Sequence, residues 1–563
     1  MISWVRKSPV PFWAATILMV AATALAIWLL PGRFSSWQQR RLMTSAEAFF
    51  KQGDLRSAEI SCRELIRLNP NYSDAYRLLI AISEEVNSPQ AISWASKLAE
   101  LSNNDPQALT TLATLALKFD ETEMAQEALN RLTGTSKEAP VTLSLRATIE
   151  VLARRFSAAE SLFDRAATLD PSNISYRLNL LKVRLQSRDS VKADAARQEL
   201  EQLTKDSAAN REALRALQQD ARAHGQSDRA LSIAQQLISI PNAPLSDRLL
   251  LLEELRVSRT ERFPVELAEL QETIQSSGDS GSIFQLMSWQ NSHGLYQESL
   301  DWKAKLPSSL ADPFPIPLAE SEALVGLKDW PELRKRIVAA DWGWMNYLRL
   351  AIYARVEREL GIGQIQERWE SALVATAGEW NAMMELGNLA ERWGWKKQAA
   401  QAFWIIARQP QGQRIALKRL YRIYSDERNT RELYKVAKRI LEIDPQDLVA
   451  MNNVASLGLL LGEDGDQAAK LAEDVYEKAS SIAAFRTTYA FALIKARQPE
   501  KALQILQKLS LDASNDPAIG LYYGLMLAAN GKGSAARPYL ENALHSDRLF
   551  PEEASLAQKA LVP

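Results

Sequence analysis

Three histidines, one cysteine and a few carboxylate pairs are all that this sequence offers for metal, nucleophilic or acid–base chemistry. His224, His293 and His545 are far apart along the chain and fall at or near turns or helix ends. A polyhistidine metal site would need nearly all of them together. A nucleophile and its base need hydrogen-bond reach, and no local spacing here provides it. They read as exposed polar side chains. A single cysteine, Cys62, excludes a disulfide framework and any cysteine-rich zinc or iron–sulfur centre. Its core-facing position reads as a small hydrophobe. Glu84-Glu85, Asp426-Glu427 and Glu552-Glu553 are adjacent pairs, so their members do not share a helical face and read as solvated charge. Gly531-Lys532-Gly533-Ser534 looks like the end of a phosphate-binding loop, but the spacing from Gly524 is too long and a helix precedes it. Gly361-Ile362-Gly363 meets Gln366 where a dinucleotide fingerprint has glycine. No catalytic residue, metal ligand or cofactor is therefore expected, and the chain reads as a binding protein and not an enzyme.

One aromatic feature stands apart. Ten of the 15 tryptophans lie between Trp289 and Trp404. Two turns carry Trp-Gly-Trp: Trp342-Gly343-Trp344 and Trp393-Gly394-Trp395. Tryptophan is favoured at interaction hot spots. Two rings so close in a turn do not easily share one core. Trp342, Trp344, Trp393 and Trp395 are thus the candidate partner-binding residues, with ordinary packing of the repeats as the competing explanation.

The elements that would position them are paired amphipathic helices. From residue 42 onward a pattern recurs with a period of about 34 residues. Ala46 is followed by Ala58, Cys62, Leu65 and Pro70; Ala147 by Ala159, Phe163, Ala166 and Pro171 at the same offsets. Tyr421, Leu433, Ala437, Ile440 and Pro445 repeat the spacing, as do Gly387, Ala399, Phe403 and Gly524, Ala536, Leu540, Ala543. Two short antiparallel helices touch where both side chains are small, and larger neighbours fill the space around the contact. Glycines such as Gly53, Gly225, Gly294, Gly394 and Gly531 mark the turns within pairs, and prolines stop the second helices.

This pattern resembles the tetratricopeptide repeat family. Ala147 and Ala159 match its small positions, and Pro70, Pro171 and Pro445 match its terminal proline. The resemblance is strong at 42–75, 139–173, 210–243, 380–410, 414–447 and 483–548, and weak at 174–208, 244–280 and 311–379. It implies an all-α solenoid, a right-handed superhelix of helix pairs with a concave groove. The family's carboxylate clamp is not implied. Lys418 and Asn453 sit in suitable register, but Arg422, Ala484 and Thr488 replace other clamp positions. The layout also looks like the bacterial lipopolysaccharide-assembly regulator, but the four-cysteine module of that family is missing.

The N-terminal forty residues differ from the rest. No charge occurs between Lys7 and Arg33, and Val10 to Leu30 would form a helix of about 31 Å, enough for a bilayer core. Trp13 and Trp28 sit near its ends as interfacial aromatics. The expected organisation is a short tail at 1–9, a transmembrane helix at 10–30, a basic juxtamembrane segment at 31–41, a repeat array at 42–306, a proline-rich connection at 307–317 and a second array at 318–563. A cleaved signal peptide, ending at Ala24-Leu25-Ala26, is the rival and would make the protein soluble and secreted. The single-pass anchor implies a bacterial-type inner-membrane protein with its repeats on the translocated, periplasmic side. Five basic residues and no acid precede Glu47, so residues 42–563 carry 62 basic side chains against 68 acidic. Arg414, Lys418, Arg419 and Arg422 form one local basic patch, read as a solvated helix face, and no nucleic acid is expected. The expected function is a membrane-anchored scaffold that binds a protein or peptide in its groove, in a cell-envelope biogenesis, secretion or polysaccharide-export complex. The alternative is a regulatory subunit of a membrane-associated enzyme, or an enzyme whose site is assembled across repeats.

Overall fold

A computed structural model describes residues 37–85, 88, 90–409, 412–506 and 516–562. The expected membrane helix at 10–30 lies outside them. Among the described residues every regular element is helical, and no helix is long and apolar enough to cross a membrane.

Helix starts follow from short polar caps. Asp54, Asp105, Asp189, Asp279, Asp447 and Asp516 each accept a hydrogen bond from a backbone N–H of the helix they precede. Pro106, Pro140, Pro517 and Pro551 occupy first positions, where a missing N–H costs nothing. Second helices end at Leu68, Leu169 and Ile443, just before Pro70, Pro171 and Pro445.

Within each pair the two helices pack antiparallel through the small residues that the spacing marks. Ala46, Ala58, Cys62 and Leu65 are fully buried, as are Ala147, Ala159 and Ala166. Burial pushes the Cys62 thiol up to about 12, so it stays protonated and apolar. Gly387 and Gly524 show why the first-helix position must be small. A Cβ on Gly387 would collide with the Phe403 ring, and one on Gly524 would stand 2.9 Å from Leu540 Cδ2. Pairs continue where the sequence register weakens: Ile174–Arg184 with Ser190–Leu203, Leu245–Val257 with Arg262–Ser277, and Asn346–Leu360 with Ile365–Ala375.

The described chain forms two compact units that divide between Lys328 and Asp329. Residues 307–317 fall inside the first unit. None of their prolines interrupts a helix: Pro307 caps Ser308–Ala311, Pro313 follows its end, Pro315 caps Ile316–Leu327 and Pro317 lies in that helix's first turn.

In the first unit, charge joins successive pairs. Asp247, buried in Leu245–Val257, binds Arg211 at 2.9 Å and Arg215 at 2.6 Å from Asn210–Ala223. Gln218 Nε2 donates to the buried Glu254 at 2.6 Å, and Arg222 reaches Glu253 at 2.7 Å. His293 Nε2 lies 3.1 Å from Glu253, so this histidine is partly buried against that carboxylate and not an exposed side chain. His545 is exposed as the sequence suggests.

In the second unit the core is apolar and aromatic. Trp369 and Phe403 are fully buried, and a large cluster joins Ala455, Leu459, Phe491, Leu521, Met526, Leu540 and Ala557. The basic patch is paired here: Arg422 lies 2.7 Å from Glu391, Arg419 3.8 Å from the same carboxylate, and Arg414 3.8 Å from Asp444.

Candidate partner-binding surface

Four helices of the second unit build the tryptophan-rich surface. Trp330 opens Trp330–Ala339, whose N-cap Asp329 accepts from Glu332 N at 3.1 Å. Arg355 lies in Asn346–Leu360. Trp393 is the C-cap of Trp380–Arg392, and Trp395 is the N-cap of Lys396–Ile406. Gly394 sits between them at φ +71°, a left-handed turn that reverses the chain in one step and brings both rings together.

The two rings divide the work. Trp395 is buried and packs edge-on against Trp369 at 6.3 Å, with the Arg358 guanidinium 4.9 Å from its centroid. Trp393 meets Trp395 edge to face at 5.2 Å but stays half-buried. Its outer face carries Arg355, whose guanidinium carbon lies 4.9 Å from its centroid and 5.5 Å from that of Trp330. The result is a half-buried Trp330–Arg355–Trp393 stack. Trp342 is buried, and the side chain of Trp344 lies outside the described residues.

Electrostatics make this arginine unusual. No carboxylate comes within ion-pair distance of Arg355 among the described residues; Glu359 acts on it only at longer range. Burial pulls its pKa below the ordinary arginine value, although a guanidinium stays charged at any physiological pH. Each cation–π contact is worth about 0.5–1 kcal/mol at an exposed site and about 2 when desolvated. A guanidinium carries five N–H donors and no acceptor, so the complement it takes is an acceptor. Beside it, Arg368 rests 4.7 Å from the Tyr353 ring and 3.6 Å from the buried Glu357.

A second polar contact joins Asn346–Leu360 to the next pair. Tyr347 Oη donates to Glu385 Oε2 at 2.5 Å, and burial pushes the Glu385 carboxyl above its usual range. Among the described residues no cluster of histidine, cysteine and carboxylates could hold a metal ion.

The structure thus places three of the four candidates. Trp395 and Trp342 are core, and Trp393 is partly exposed. The partners of Trp393 went unread: Trp330 is one of ten tryptophans, and Arg355 carries no local signal. Only the fold brings residues 330, 355 and 393 together.

Residues 459–521 match the tetratricopeptide repeat family model. No curated protein matches the chain. Solved structures that it is similar to include the Cut9–Hcn1 hetero-tetramer of the APC/C, at 13% identity and a TM-score of 0.25, covering 95% of this chain and 99% of that one. Another is the pilF protein of Pseudomonas aeruginosa, at 15% identity and a TM-score of 0.29, covering 38% of this chain and 96% of that one. A third is a tetratricopeptide repeat protein of Parabacteroides merdae, at 16% identity and a TM-score of 0.27, covering 48% and 99%.

Proposed function

We propose that the protein is a membrane-anchored interaction scaffold that acts by binding and not by catalysis. The charge-free stretch between Lys7 and Arg33 supports an anchor in the inner membrane with the repeats on the periplasmic side. Anchoring confines a bound partner to the membrane surface and raises its effective concentration there. A cell-envelope biogenesis, secretion or polysaccharide-export complex suits this design.

One observation carries the binding reading: the Trp330–Arg355–Trp393 stack, where two half-buried indoles hold a cation that has no carboxylate within ion-pair distance among the described residues. Tryptophan and arginine are the residues most enriched at interface hot spots. Preformed helices supply such a surface at low ordering cost. A photo-crosslinking residue at Arg392, beside the stack, in the full chain in its native membranes tests this. One discrete crosslinked partner is expected. Trp393→Ala and Arg355→Ala should each weaken its capture by about 2 kcal/mol, while helicity is retained. Undiminished capture by folded variants would remove the stack from the interface.

A further inference from the structure

The pair Glu552-Glu553 reads as solvated charge in the sequence, and the structure corrects this. Glu553 is buried, and its carboxylate accepts from Tyr522 Oη at 2.8 Å. Glu552 Oε2 accepts from Thr430 Oγ1 at 2.6 Å, a contact that spans 122 residues of sequence. Both belong to the last described helix, Pro551–Leu561. That helix packs on the preceding pair, Pro517–Ala529 and Gly533–His545, and it also reaches back to Leu448–Leu461.

We propose that the face formed by Gly533–His545 and Pro517–Ala529, with Leu448–Leu461 at its edge, is a helix-binding groove, and that Pro551–Leu561 occupies it as a displaceable ligand. Three features separate this helix from the paired helices. Paired helices such as Gly533–His545 bury a large apolar side chain, Leu540, beside their small residues, whereas here Ala557 is the one fully buried apolar residue, Ala554 and Ala560 flank it at three-residue spacing, and Leu556 and Leu561 are partly buried. Alanine burial removes little apolar area, so the apolar hold is weak. Polar anchors do the orienting instead. Tyr522 of Pro517–Ala529 donates to Glu553, and Thr430 donates to Glu552, so the two carboxylates tie the first turn to two other helices. Lastly, an open cleft of about 620 Å³, lined by Glu427 to Arg431, Leu461 and Glu552, lies beside the first turn.

These contacts define the ligand that the groove takes. It is a short helix with two adjacent carboxylates in its first turn and alanines at three-residue spacing behind them. A helix of 11 residues is marginal by itself in water, so its folding and docking are coupled. A partner helix of the same chemistry would compete for the groove and release Pro551–Leu561.

The test uses the full chain with Glu553→Ala and Ala557→Glu, which undocks the helix, and a fluorescent synthetic peptide of residues 546–562 as probe. The variant should bind the peptide at least tenfold more tightly than the unaltered chain, whose groove is filled. A peptide carrying Glu553→Ala should bind the variant about tenfold more weakly. In the unaltered chain, hydrogen exchange should open 551–561 while 517–529 and 533–545 stay protected, and Thr430→Ala should accelerate exchange at 551–561 alone. Equal or undetectable peptide binding by both chains would overturn the proposal. So would loss of protection across 517–545 in the variant, or exchange of 551–561 in step with those helices, because the helix would then be an integral part of the core.

Discussion

The two units use one backbone plan and different side-chain chemistry to join successive helix pairs. In the middle of the first unit the joints are ionic: Arg211 and Arg215 on Asp247, Arg222 on Glu253 and Glu254, His293 on Glu253. In the second unit, between residues 330 and 406, the joints are rings, and the arginines lie on them: Arg355 on Trp330 and Trp393, Arg358 on Trp395, Arg368 on Tyr353. The consequence is chemical. A guanidinium that grips a carboxylate has used the donors a partner would want. Arg355, which lies on two rings with no carboxylate within ion-pair distance among the described residues, has not. The first arrangement fixes neighbouring repeats; the second can also present a surface.

The ionic joint is the place to break the comparison with the largest effect. Asp247 is 1% exposed, while Arg211 and Arg215 are its partners on the neighbouring pair. Replacing both arginines by alanine leaves a buried carboxylate unpaired. A cost of about 3–5 kcal/mol is expected. In hydrogen exchange the loss should concentrate in 210–277 and leave 380–406 unchanged, since stability in repeat arrays is carried by nearest neighbours. Urea melts in which the double variant matches the parent would show that the ladder is surface decoration.

A smaller change probes the shape-based contacts of the second unit. Gly387→Val places a branched side chain against the Phe403 ring, where even a Cβ collides. Overpacking should cost about 1–3 kcal/mol. The loss should fall on 380–406 and spare the ionic ladder of the first unit. If Gly387→Val is tolerated without loss of protection, the close approach of Trp380–Arg392 and Lys396–Ile406 is not what holds that pair.

The helix pairs were legible because one physical requirement repeats. Wherever two helices touch closely the sequence must be small, so Ala46 with Ala58, Ala147 with Ala159 and Gly387 with Ala399 announce the contact at a fixed offset. Each reading used residues within one period. What escaped lies about one period or more away. Asp247 meets Arg211 across 36 positions and Tyr522 meets Glu553 across 31. Thr430 meets Glu552 across 122. The repeat register is weak at 244–280, where Asp247 and Glu254 are buried in Leu245–Val257 together with Leu251, Leu252 and Leu255. The surface around Trp393 was half legible. A Trp-Gly-Trp turn signals two rings in one place, but which ring faces out depends on Trp369 and Arg355, which approach from another pair.

The smallest effect, and the one that sharpens the comparison best, is the response to pH. Burial pushes Glu253 up, but hydrogen bonds from Arg256 and Arg222 outweigh it and hold this carboxylate below its usual value of 4.5. Glu212 behaves likewise, with Lys182 and Arg215 as the partners. Such groups contribute stability that is present above 4.5 and lost as pH falls through their folded values. The second unit has the opposite sign at two places. Burial raises Glu385 beside Tyr347, and burial together with the neighbouring Glu552 raises Glu553 beside Tyr522. Between 4.5 and those raised values the folded chain holds protons that the unfolded chain has released. Their contribution is therefore complete below 4.5 and declines as pH rises through that window. Hydrogen exchange corrected for intrinsic rates should show 210–257 losing protection on acidification, and 346–392 and 551–561 losing it on the alkaline side. Glu385→Gln and Glu553→Gln should each flatten the alkaline limb in their own segment only. A second unit whose protection rises with pH over this window would mean that these carboxylates are ionised where they sit, and that the two units answer protons in the same way.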